Sequence, residues 1–122
     1  MAKAAGVVPR RGDVFLVSLD PTVGAEIKKT RPAVVIQNDP ANRRSPITIV
    51  AAITSQFEMP LYPTEVLVRA PEGGLTVDSV VLLNQIRSVD RDRLVRRLGA
   101  LGRERMRELD TALLVSLGLV EV

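Results

Sequence analysis

The chain contains no histidine, no cysteine and no tryptophan. Without cysteine there can be no disulfide and no thiolate nucleophile, and without histidine the commonest metal ligand and the usual general base near neutral pH are both missing. Any catalysis must then be carried by Arg, Lys, carboxylates, Ser, Thr, Tyr or water. Aromatic residues are scarce too, only Phe15, Phe57 and Tyr62, which argues against a multi-aromatic platform for stacking bases. No apolar run approaches the ~18 residues needed to span a bilayer, and residues 1–6 lack the apolar stretch of a signal peptide. The expected location is the cytoplasm, with no membrane partner.

What is present is an ordinary globular composition, 46% hydrophobic and 25% charged over 122 residues, without internal repeats. That length suits one domain with one core, and residues 1–9 read as a flexible arm. The net charge is only +3, but 14 of the 17 cations are arginines. Arginine is the side chain suited to bidentate phosphate recognition, so nucleic acid is the partner class the composition favours.

Hydrophobic patterning predicts a first strand at 14–19, a long polar loop at 21–30 and a second strand at 31–37. A loop dense in turn residues follows at 38–46. A third strand at 47–54 is apolar without alternation, as in a strand covered on both faces. Residues 55–63 read as a loop, and 64–69 as a half-exposed fourth strand with Glu65, Leu67 and Arg69 on one side and Val66 and Val68 on the other. A turn at 71–74 leads to a fifth strand at 80–83, ended by the polar cluster Asn84-Gln85. Asp90 to Arg93 reads as one helical turn and 94–98 as extended. A C-terminal helix starts near Gly102 and stops at Gly118, with Met106, Leu109, Ala112, Leu113 and Leu117 as its apolar stripe. The expected fold is mainly β with helical additions (α+β), a small, curved, mostly antiparallel barrel with a C-terminal helix.

Arg31 stands out within this outline. It opens the second strand immediately before Pro32, which disfavours helical backbone at Arg31 and so aims the guanidinium outward from an extended strand mouth. The plainer alternative is a loop-edge arginine in a surface ion pair.

Several short motifs, in order, make the chain similar to a known family. Arg11-Gly12-Asp13-Val14, Gly24-Ala25-Glu26, Thr30-Arg31-Pro32, Val35-Ile36-Gln37-Asn38-Asp39, Asn42-Arg43, Ser45-Pro46, Ile53-Thr54, Asp78-Ser79-Val80 and Gln85-Ile86-Arg87 resemble the MazF/PemK toxin endoribonucleases. The resemblance runs from about Arg10 into the C-terminal helix. It implies an SH3-like barrel, a homodimer, a cognate antitoxin, and metal-independent, cofactor-independent cleavage of single-stranded RNA, including mRNA, at a short sequence. The implied products carry a 2′,3′-cyclic phosphate and a 5′-hydroxyl. One departure lies before Arg31, where Ile27-Lys28-Lys29-Thr30 replaces the small, glycine-rich residues of many members.

Carried over residue by residue, the resemblance places the catalytic arginine at Arg31 and the catalytic threonine at Thr54. Because RNA brings its own 2′-hydroxyl as nucleophile, a histidine is dispensable if the protein aligns it and stabilises charge on the phosphoryl oxygens. Glu26 is a candidate to orient Arg31 or to act as base, against the alternative of a solvated loop carboxylate. The expected RNA-binding set is Lys28, Lys29, Gln37, Asn38, Arg43, Arg44, Ser45, Phe57, Gln85 and Arg87. For Gln37, Asn38 and Gln85 the competing role is to satisfy loop backbone, and for Arg43 and Arg44 it is a solvated face. Two other functions fit the same fold, a CcdB-like non-catalytic gyrase inhibitor and an SH3-like binding module; neither needs Arg31 and Thr54 together.

Overall fold

The computed structural model describes residues 7–19, 24–25 and 29–121. Six strands, β1 (Asp13–Ser18), β2 (Thr30–Val35), β3 (Ile47–Thr54), β4 (Glu65–Val68), β5 (Ser79–Asp90) and β6 (Leu94–Ala100), form one antiparallel sheet in the order β4-β5-β3-β2-β1-β6. Two helices complete it, α1 (Asp39–Arg44) and α2 (Arg103–Ser116). The fold is thus mainly β with a C-terminal helix, as expected. The sheet is curved but not closed, since its edge strands β4 and β6 do not pair. Closure is replaced by glycines: the turn at Glu72–Gly74 packs backbone to backbone on β6, so near that a Cβ on Gly74 would lie 2.0 Å from the Leu98 oxygen.

Both faces of the sheet are buried, and alternation along the strands divides the core. Val14, Val34, Ala51, Ile53, Val81 and Leu83 pack with Leu109 and Ala112 of α2. Phe15, Val17, Ala33, Val35, Val50 and Ala52 form a second cluster with Leu19, Val89 and Leu94. Those faces explain the unbroken apolar run of β3. β4 divides into two sides as expected, with Val66 and Val68 on the buried one. In α2 the stripe holds through Leu113, whereas Leu117 lies past the helix end and is 54% exposed.

Two expectations are corrected. The loop at 38–46 contains α1, because Asn38 caps it by accepting the Ala41 N–H at 2.9 Å and Pro40 sits in its first turn, where no N–H is needed. The fifth strand does not end at Asn84-Gln85 but runs to Asp90. Ala51 pairs with Ile86 while Ala52 pairs with Leu82, so Leu83, Asn84 and Gln85 are three extra residues bulged out of a continuous strand. The predicted single turn near Asp90 is present at Arg91–Arg93, capped by the Asp90 side chain.

Helix α2 is clasped at its start. Gly102, its N-cap, has no side chain to serve as a cap, and the Glu72 carboxylate instead accepts the Gly102 N–H at 3.0 Å. Glu72 also pairs with Arg105 at 3.3 Å. Arg105 is held above the usual arginine range, chiefly by its hydrogen bond to Glu108 and secondarily by the charges of the neighbouring carboxylates.

Candidate active site

The antiparallel register brings Arg31 and Thr54 together at one end of the sheet. Ala33 pairs with Ala52 and Val35 with Val50. Continuing that register two residues past Ala33–Ala52 sets Arg31 level with Thr54, and both alternate onto the face of the second core cluster. The ladder itself stops at Ala33–Ala52, next to Pro32, which has no N–H to give. On either side, Val17 is level with Arg31 and Val80 with Thr54.

Arg31 is half-buried, and among the described residues its guanidinium has no acceptor. Its five donors are therefore available to a ligand. Thr54 is 8% exposed, and its Oγ1 accepts the Gln56 N–H at 3.0 Å. The same hydroxyl faces the Gln56 carbonyl at 3.4 Å, beyond ordinary O–H···O lengths. Its lone pair is thus anchored while its proton is loosely held.

The neighbouring backbone is stabilised by arginines. Arg87 donates to the Leu19 carbonyl at 2.7 Å and Arg93 to the Ser18 carbonyl at 3.1 Å, fixing the end of β1 beside Arg31. Lys29, two residues before Arg31, takes a left-handed φ of 68° that glycine would adopt freely, and its carbonyl accepts the Leu19 N–H at 3.1 Å. Glu26 and Lys28, and most of the predicted loop at 21–30, lie outside the described residues, as do residues 1–6 of the expected arm.

The other candidates separate into groups. Phe57 is half-buried three residues beyond Thr54, at the same end. Gln85 and Arg87 line a cleft of about 350 Å³ with Leu19, Ala52 and Asn84. Asn84 is exposed and also lines a second cleft with Tyr62 and Val115. Gln37, Asn38, Arg43, Arg44 and Ser45 lie at the far end of β2, six residue steps or about 20 Å from Arg31.

At that far end the side chains are engaged with backbone and with one another. The Gln37 amide donates to Asn42 at 2.9 Å and to the Ile47 carbonyl at 3.0 Å, Asn38 caps α1, and the Ser45 hydroxyl accepts the Ile47 N–H at 3.0 Å. Their hub is Asn42, fully buried, which also accepts from Thr48 at 2.7 Å and donates to the Gln37 carbonyl at 2.9 Å. Arg43 and Arg44 are exposed on α1.

Two further cations, Arg96 and Arg97 on β6, share a cleft of about 450 Å³ with Arg31. The available sequence signal was an adjacent pair of arginines in an extended segment. Among the described residues no group of three or more His, Cys, Asp or Glu is arranged to hold a metal ion, and no helix is long and apolar enough to cross a membrane.

Residues 10–117 match the family described as PemK-like, MazF-like toxin of type II toxin-antitoxin system. The chain is 45% identical over 115 residues to Endoribonuclease EndoA of Bacillus subtilis (strain 168), covering 94% of this chain and 99% of that protein. Its fold is similar to MazF (Form-I) from Deinococcus radiodurans, with a TM-score of 0.78 at 29% identity over 92% of this chain and 98% of that one. It is similar also to a MazE-MazF structure (Form-III) from Deinococcus radiodurans, with a TM-score of 0.72 at 26% identity over 93% and 100% of the two chains.

Proposed function

This chain belongs to the PemK-like, MazF-like toxins of type II toxin-antitoxin systems, and from that premise we propose that it is an endoribonuclease that cuts single-stranded RNA without a metal. The observation that carries the reading is the juxtaposition of an arginine with no acceptor among the described residues and an anchored threonine, level on neighbouring strands and on one face. A gyrase inhibitor or a plain binding module gives that pair no role.

In the reaction the substrate's 2′-oxygen attacks the adjacent phosphorus while the bond from phosphorus to the 5′-oxygen breaks. The 2′-proton leaves to a base and the 5′-oxygen gains a proton, so the products are a 2′,3′-cyclic phosphate and a 5′-hydroxyl. Negative charge builds on the non-bridging oxygens. Arg31 donates to them as a preorganised cation, and Thr54 redirects its loosely held proton to the same oxygens. Arginine, with a pKa above ~12, is a poor base; Glu26 is the carboxylate assigned to orient Arg31 or take the 2′-proton. Gln85 and Arg87, with Asn84 beside them, supply amide and guanidinium donors to bases and phosphates, Lys29 and Phe57 flank the same end of the sheet, and Lys28 is assigned to phosphate binding by its sequence position alone.

The protein works in the cytoplasm as one domain per chain, paired as a homodimer and held inactive by a cognate antitoxin. A dimer is supported by the apolar surface where Leu114, Leu117, Leu119 and Val120 are exposed at the end of α2, close to exposed Tyr62. An antitoxin with an acidic, apolar tail complements the arginine-rich surface. The test is incubation with a long single-stranded RNA in EDTA, followed by mapping of both ends. Cuts with cyclic phosphate and 5′-hydroxyl termini are expected. Intact RNA would overturn the ribonuclease reading, and cleavage only on adding a divalent metal would overturn the mechanism.

A further inference from the structure

The sheet divides where Arg31 and Thr54 stand. The β2–β3 ladder ends at Ala33–Ala52, so beyond it Arg31 is laddered to β1, through the Val17–Arg31 pair, while Thr54 is laddered to β5, through the Thr54–Val80 pair. The two residues sit on separate lips, and their separation depends on where the end of β1 is kept.

Backbone alternation shows what keeps it there. Leu19 donates its N–H to the Lys29 carbonyl at 3.1 Å, continuing the β1–β2 register by one pair. Opposed pairs in an antiparallel ladder alternate between exchanging both hydrogen bonds and exchanging none, so Val17–Arg31 is bonded and Ser18–Thr30 is not. The Ser18 carbonyl therefore turns away from β2 toward β6, one residue past the end of the β1–β6 ladder at Val17–Leu94. The half-buried Arg93 guanidinium donates to it there at 3.1 Å, in the place of a further rung. Arg93 belongs to the turn Arg91–Arg93 that directly follows β5, so this bond ties the lip bearing Arg31 to the strand that holds Thr54. Arg87, on β5 itself, ties the same lip at the Leu19 carbonyl, 2.7 Å away. Both bonds are charge-assisted, the stronger kind for pinning a strand end.

We propose that Arg93 is a positioning residue for the cleavage, acting through the end of β1 to set where Arg31 stands relative to Thr54. The inference rests on the ribonuclease reading, which supplies the roles of that pair. Arg93 carries the test because the Arg87 guanidinium is also assigned to RNA.

The experiment is single-turnover cleavage of an RNA with a mapped cut site, at saturating protein, beside binding of the same RNA carrying a 2′-deoxy sugar at the cut. Arg93→Met should lower the cleavage rate roughly ten-fold or more, since a small misplacement at a reacting centre costs up to ~100-fold. Affinity for the blocked RNA, and its salt dependence, should stay those of the parent. In the Arg31→Ala background the same substitution should add little, because the residue it positions is already gone. Arg93→Lys, which keeps a donor for the Ser18 carbonyl, should restore most of the rate. A rate unchanged by Arg93→Met, or an undiminished loss on top of Arg31→Ala, would overturn the proposal. Weaker binding of the blocked RNA with a shallower salt slope would make Arg93 an RNA ligand instead. Unfolding of Arg93→Met at the assay temperature would assign the residue to global stability and overturn it as well. A folded Arg93→Lys as slow as Arg93→Met would show that the Ser18 bond is not what matters. Failure of the parent to cleave any RNA sinks the ribonuclease reading itself, a result distinct from these.

Discussion

At Arg31 the relevant property is what the protein leaves undone. A half-buried guanidinium with no acceptor among the described residues has paid part of its desolvation before substrate arrives, so a phosphoryl oxygen gains more from it than from a solvated arginine. Arg31→Ala is expected to lower kcat by roughly a hundred-fold or more, with thermal unfolding unaltered. Single-turnover cleavage of a mapped RNA decides it, and unchanged turnover would move the charge-stabilising role elsewhere. Arg31 was legible in the sequence because Pro32 announces an aimed, extended residue. Asn42 was not: its burial and its bonds to Gln37 and Thr48 arise only once α1 folds back on β3. For the same reason, the sequence could not separate an amide that reads a base from one that ties down a loop, as Gln37 does.

Among the elements, those with strong apolar patterning were readable and those built from polar residues were not. β3 and α2 stand where their periodicities place them, within a residue or two at α2. α1 was hidden because Asn, Asp and Pro signal both a turn and a helix start, and β5 because a polar bulge resembles a strand end. The glycine seam between the Glu72–Gly74 turn and β6 was also out of reach, since nothing local distinguishes a glycine chosen for a turn from one chosen for close approach. Gly74→Ala is expected to cost at least ~3 kcal/mol, because its new Cβ meets the Leu98 oxygen at 2.0 Å on top of a φ of 73°. Gly118→Ala, with the same φ of 73° and open space around it, should cost only about 1 kcal/mol. Urea unfolding of the two variants measures the difference, and equal losses would show that the seam yields without strain.

At the scale of the whole molecule, the end of α2 carries a run of exposed apolar side chains, Leu114, Leu117, Leu119 and Val120. Leu117 is 54% exposed and Leu119 67%, and Tyr62, which shares a cleft with Val115 of α2, is 73% exposed. Sedimentation equilibrium should find a dimer at micromolar concentration, and Leu117→Asp should shift it toward monomer without unfolding the chain. A monomeric parent protein would contradict the dimer. A dimer indifferent to Leu117→Asp would place the interface elsewhere. In the proposed arrangement, apolar association at one region leaves the cationic clefts open to a polyanion.

The three residues bulged from β5 have a consequence for how such a scaffold diversifies. Leu83 is wholly buried in the core, but Asn84 and Gln85 stand outside the ladder that joins β3 to β5, so exchanging them changes no pairing and empties no core position. Inheritance can therefore rewrite the Asn84 amide beside the cleft while the sheet stays constant. Substitutions at exposed Asn84 are free to alter what is recognised without first being compensated for stability, and the neighbouring arginines that hold the end of β1 remain in place.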